Sequence, residues 1–128
     1  MTQQEKQLLL KDLCARLPYG VIVHEKWEYQ NPGVKERTKK EEDHIMNCYD
    51  LASIETIKPY LRPMSSMTEE EAIKYVTLTH YNTDDNGKPY RELTIEATDW
   101  LNENHFDYRG LIKKGLAFEA SKDMYKTK

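Results

Sequence analysis

Glycine is scarce and scattered in this chain: five residues at positions 20, 33, 87, 110 and 115, with no run that could cradle a phosphate. Cysteine is scarcer. Cys14 and Cys48 make neither a metal-ligand spacing nor a disulfide framework, so a reducing compartment, the cytoplasm, is the expected location. Long hydrophobic runs are missing. The three consecutive leucines at 8–10 are too few for a signal-peptide core or a membrane span, and no membrane partner is expected. No basic excess exists either: the net charge of −3 disfavours nucleic acid as a partner.

Catalytic patterns are equally thin. Ser65 and Ser66 precede a helix start without the glycines of a nucleophile elbow. His24, His44, His80 and His105 form no pair at ligand spacing on one element. They read as solvent-facing, one of them at a helix end, and no metal or cofactor is expected. Cys14 on an apolar helix face and Cys48 in a strand read as buried, inert thiols. The chain is therefore expected not to be an enzyme. An alternative is a small metal-assisted hydrolase or nuclease whose carboxylates and histidine only folding brings together. That reading requires a cleft where His44 or His80 meets two acidic groups.

What is present points to one α+β domain over 1–128, with a polar, frayed tail from about 121. Only 38% of residues are hydrophobic, which implies a thin core. Nine tyrosines against two phenylalanines suit half-buried positions and contact surfaces. The spacing of Leu9, Leu10, Leu13, Cys14 and Leu17 predicts an amphipathic helix over 4–17, stopped by Pro18. A strand is expected over 21–29, a turn at Asn31-Pro32-Gly33, a returning strand over 34–40 and a third strand over 44–51. The charge block at 39–43 reads as a solvated loop. These strands make a small antiparallel sheet. Thr68 and Glu71 have capping-box spacing and start a helix running to about 81, with Ala72, Ile73, Val76 and His80 on one apolar face. A second helix is expected over about 94–105 with Ala97, Trp100 and Leu101 inward, and a short element at 115–120. Asn82, Asp84, Asn86 and Gly87 match the start of a calcium loop, but Leu93 occupies its twelfth place; a plain loop over 82–89 between helices is expected.

The segment from Ile57 to Glu71 concentrates unusual chemistry. Pro59 and Pro63 hold the backbone extended and remove two amide donors, so a rigid connector rather than a helix or central strand is expected. It displays Lys58, Tyr60 and Arg62. With Tyr108 and Arg109 these are the candidate ligand-binding residues, because aromatic and basic groups together stack rings and hold anions. The bland alternative is that both tyrosines complete the core. Glu69, Glu70 and Glu71 already neutralise the positive end of their helix, so an anion would have to sit beside Arg62 or Lys58.

DLCARLPYGV (12–21), IKPYLRPMSSMTEEE (57–71), DWLN (99–102), FDYRGLI (106–112) and GLA (115–117) resemble a group of short uncharacterised proteins of anaerobic gut bacteria and their phages or prophages. The resemblance covers a third to a half of the chain and omits the segment between Glu25 and Asp50. Other members can carry an aromatic residue in place of Arg62, which argues against a family-wide role for that guanidinium. The resemblance implies an accessory protein of phage or mobile-element origin in the bacterial cytoplasm. Together these readings give the expected function: a non-enzymatic binding protein, acting on a host protein or sequestering a small anionic, nucleotide-like ligand. A structural phage component is a further alternative. Self-association into a homo-oligomer would suit so thin a core.

Overall fold

The computed structural model describes residues 1–125; the last three residues of the expected frayed tail lie outside the described residues. The fold is α+β. Helix α1 (Gln3–Arg16) is opened by a capping box between Thr2 and Glu5. Strands β1 (Ile22–Tyr29) and β2 (Thr38–Ile45) form a long antiparallel hairpin. A 3-10 turn (Cys48–Ser53) leads to β3 (Ile57–Leu61), which pairs antiparallel with β1. Helix α2 (Glu69–Leu78), the hairpin β4 (His80–Thr83) and β5 (Pro89–Glu92), and helix α3 (Ile95–Glu103) follow. The short β6 (Phe118–Glu119) returns parallel to β3, so the main sheet has the order β2-β1-β3-β6. Leu9 and Leu13 of α1 pack on Val21, Val23, Ile57, Leu61, Leu111 and Leu116 to make the core. Among the described residues no helix is long and apolar enough to cross a membrane.

Several expectations are corrected. The charged block 39–43 is strand, not loop: it pairs residue by residue with β1 at the sheet edge, where charged side chains protect an edge from foreign pairing. The chain leaves the sheet after Ile45, because Asn47 accepts the Tyr49 amide and Asp50 accepts the Asn47 amide. That local capping turns 48–53 into a 3-10 turn rather than a strand. The third strand is instead the proline-bearing segment, and it is central. The Lys26 amide donates to the Thr56 carbonyl, so even-numbered residues of this segment direct their backbone toward β1. Pro59 therefore turns its nitrogen away from β1, and pairing with β6 begins only at Tyr60. The absent donor costs the ladder nothing.

The loop 82–89 lies between strands rather than helices. Asp84 Oδ1 accepts the Asn86 and Lys88 amides and Gly87 sits at φ 77°, which makes a tight hairpin turn. On α1 the buried face is rotated from the expected one: Asp12 and Arg16 go inward, while Leu10 and Cys14 face solvent. Cys48 is exposed as well. Within the tail Tyr125 is anchored: its hydroxyl donates to the Tyr60 carbonyl at 2.6 Å and accepts the Ile22 amide at 2.9 Å. His105, expected to face solvent, is buried just beyond α3.

Candidate functional site

The five candidate ligand residues fall into three separate places. Lys58 and Tyr60 lie on the open face of the sheet. Their alternation with Ile57, Pro59 and Leu61, all buried, directs them outward. The Tyr60 hydroxyl donates to Asp43 Oδ1 at 2.9 Å, and His24 Nδ1 lies 2.6 Å from the same oxygen. The Asp43 carboxyl is held below its ordinary range, first by the His24 hydrogen bond. Phe118 packs beside Tyr60 with ring centres 5.5 Å apart, and the Lys58 ammonium stands 5.1 Å from the Phe118 ring.

Arg62 is the second place. Its two terminal nitrogens bind both Glu71 oxygens at 2.8 and 2.6 Å, and its guanidinium stacks 4.1 Å from the Phe106 ring centre. Glu71 is thereby held below the ordinary carboxylate range, with the Arg62 hydrogen bonds as the largest cause. The same carboxylate accepts the Thr68 amide in the capping box. An incoming anion would have to displace this fork. Cavities of about 520 Å³ and about 510 Å³ adjoin Arg62. The first is walled by Tyr19, Ile22, Ile45, His105 and Tyr125. His105 stacks on Tyr125 at 3.9 Å, and burial lowers its pKa to about 4, so the ring is neutral at pH 7.

Tyr108 and Arg109 are the third place, and both are engaged by groups within the fold. Arg109 donates to Asp12 Oδ1 at 2.8 Å, while Arg16 grips the same carboxylate at 2.8 and 3.1 Å and donates to the Phe106 carbonyl. The Tyr108 ring lies 4.6 Å from the Arg109 guanidinium, and its hydroxyl donates to Asn102. Asp107 accepts the Leu111 and Ile112 amides. This network joins α1 to the C-terminal segment. Of the five candidates, Arg62 lines these cavities; Lys58, Tyr60, Tyr108 and Arg109 do not.

Two features lay outside those candidates. His44 meets acidic groups: its Nε2 is 2.8 Å from Asp50 Oδ2, and ligand atoms of Glu25, His44 and Asp50 all lie within 4.8 Å of one another. His80, by contrast, is exposed on the small hairpin. The second feature is α2, which has no buried residue at all. Its expected core stripe faces solvent, with Ile73 62% and Val76 45% exposed. Polar tethers hold it instead. Arg62 grips Glu71 near the N-terminus, and the Thr94 hydroxyl donates to the Leu78 carbonyl at 2.6 Å near the C-terminus. Arg91 reaches the Val76 carbonyl more loosely, at 3.4 Å. Tyr81, Tyr90, Leu93 and Ile95 are also exposed in the adjoining hairpin and at the start of α3. Amphipathic spacing marks the α2 stripe in the sequence; no local signal marks it as uncovered.

No known family model, curated protein or solved structure matches this chain.

Proposed function

We propose that the protein is a non-enzymatic binding protein whose α2 face docks into an apolar groove of a host protein. The observation that carries this is the uncovered stripe of Ala72, Ile73 and Val76 on a helix with no buried residue. A ten-residue helix is too short to be stable by itself, and this one is held in place by side-chain tethers at its ends. Its apolar face is thus presented on a fixed support, the arrangement used when one helix supplies anchors at three- and four-residue spacing to a partner groove. Glu69 and Glu70 flank the stripe and make no ion pair among the described residues, which suits a groove rimmed by lysine or arginine. The resemblance of the 57–71 segment to proteins of gut bacteria and their phages supports an accessory protein of phage or mobile-element origin, with a bacterial host protein as the target. Sequestration of a small anionic ligand has less support, because Arg62 and Arg109 are already engaged by carboxylates.

The test compares the wild-type chain with Ile73→Glu/Val76→Glu in affinity capture from host lysate, with thermal melting as a control for folding. A specific partner lost in a variant that still melts normally supports the reading. Capture of the same proteins by both chains sinks it. A wild-type dimer that the substitutions dissolve also sinks it, since the occupant would then be a second copy.

A further inference from the structure

We propose that Glu25, His44 and Asp50 form a binding site for a divalent transition-metal ion. The three residues come from three elements: the strand pairing brings Glu25 beside His44, and a locally capped turn six residues on brings Asp50. In the β1–β2 register Val23 faces His44 and Glu25 faces Glu42, so Val23, Glu25, Glu42 and His44 share one face of the hairpin. Val23 is in the core, and the other three occupy the open end of that same face. Asp50 enters from the 3-10 turn, held in place by the Asn47 amide at 2.9 Å.

Charge makes the case for a cation. Glu25 and Glu42 stand directly opposite each other, a pairing of like charges that destabilises a sheet. Asp50, only 8% exposed, is a third carboxylate in the cluster. Glu42 lies 3.4 Å from His44 Nδ1. Among the described residues no lysine or arginine pairs with Glu25, Glu42 or Asp50, although those on the opposite face of the hairpin pair with Glu28 and Glu41. Lys40, the neighbouring same-face residue of β2, makes no ion pair with them. Among the described residues the Glu25 carboxylate makes no hydrogen bond or ion pair, and the buried His44 Nδ1 has no hydrogen bond. Three carboxylates, with one imidazole as the only cationic group paired with them among the described residues, are poorly matched internally and well matched to a dication.

The donor set narrows the ion. One imidazole with two carboxylates suits manganese, iron or zinc better than calcium or magnesium, which take oxygen ligands alone. Ligand atoms around such an ion stand about 3–3.5 Å apart. A separation within 4.8 Å closes to that range by rotation of the long, partly exposed Glu25 side chain. Three protein donors leave coordination positions open to water or to a ligand group.

The experiment titrates the chelator-treated full chain with Zn²⁺ and with Mn²⁺. It follows thermal stability and, with Co²⁺ as a probe, visible absorption. The expected result is one ion per chain, a rise in melting temperature that EDTA reverses, and at least about a tenfold loss of affinity in both Glu25→Gln and His44→Asn. Glu25→Gln is the cleaner variant, because it keeps the side chain's shape and breaks no hydrogen bond or ion pair among the described residues. The proposal is overturned if no stoichiometric ion binds at micromolar concentration. It is equally overturned if both variants bind as the wild type does. These outcomes do not depend on the α2 face, so either reading can fail alone.

Discussion

Asp12 is fully buried and receives three charge-assisted bonds, two from Arg16 and one from Arg109. Asp12→Asn keeps the shape and removes the charge, so no cavity contributes to the result. One of the three donors must then face the new amide NH2, and the Arg16 guanidinium, itself fully buried with Nη1 already unpartnered, loses its only carboxylate. Removing one member of a buried pair typically costs about 3–5 kcal/mol. A domain of this size carries roughly 5–15 kcal/mol in total, so at the middle of both ranges about two fifths of its stability is at stake. With an unfolding entropy of about 0.27 kcal/mol per kelvin for this length, 4 kcal/mol is a fall of about 15 °C in melting temperature. Arg109→Gln is the internal comparison: it removes a single bond from a partly exposed group and should cost about 1–2 kcal/mol. Paired urea and thermal melts measure both. If Asp12→Asn costs less than about 1 kcal/mol, the network is not the joint between α1 and the C-terminal segment, and the reasoning fails.

Asp107→Ala leaves the Leu111 and Ile112 amides without their acceptor and should cost about 2–3 kcal/mol in urea unfolding. Glu71→Gln weakens the Arg62 fork and the Thr68 cap together, so amide exchange should speed up across α2 at a global cost of about 1–2 kcal/mol. His105 has its pKa lowered from 6.5 to about 4 by burial, so the unfolded chain binds its proton first. Stability should be full above pH 6.5 and fall by up to about 3 kcal/mol as the pH drops to 4. His105→Asn, which tolerates the φ of 61°, should flatten stability between pH 6.5 and 4.5, whereas Asp43 and Glu71 act lower, below the ordinary carboxylate pKa. Ile73→Glu/Val76→Glu should shift stability by no more than about 0.5 kcal/mol per site, since both side chains face solvent.

Features written within a few residues were legible in the sequence. Thr68 with Glu71 does cap α2, Ala97 and Leu101 do face inward, and Pro18 does follow the end of α1. Features that depend on partners distant along the chain were not. Periodicity placed Cys14 inward and left Asp12 and Arg16 to solvent, because nothing local announces Arg109, 97 positions from Asp12, as the group that completes their network. The hydrolase alternative requires His44 or His80 to meet acidic groups, but which groups was not legible: the β1–β2 register brings Glu25 to His44, and the capped 3-10 turn brings Asp50. The extended backbone at Pro59 was foreseen, but its place inside the sheet depends on which edge its nitrogen faces.

The two helices that depart from their expected faces do so in opposite senses, and the contrast bears on function. In α1 charged groups are turned inward, and the fold answers them: Asp12 binds Arg16 and Arg109, and Arg16 reaches the Phe106 carbonyl. In α2 apolar groups are turned outward, and nothing among the described residues covers them. A sequence that breaks a local rule and compensates within itself has made a structural joint. One that breaks the rule without internal compensation is the pattern expected at a functional surface. That asymmetry is why Tyr108 and Arg109 are read as part of the joint, and why Ile73 and Val76 are the residues proposed to meet a partner.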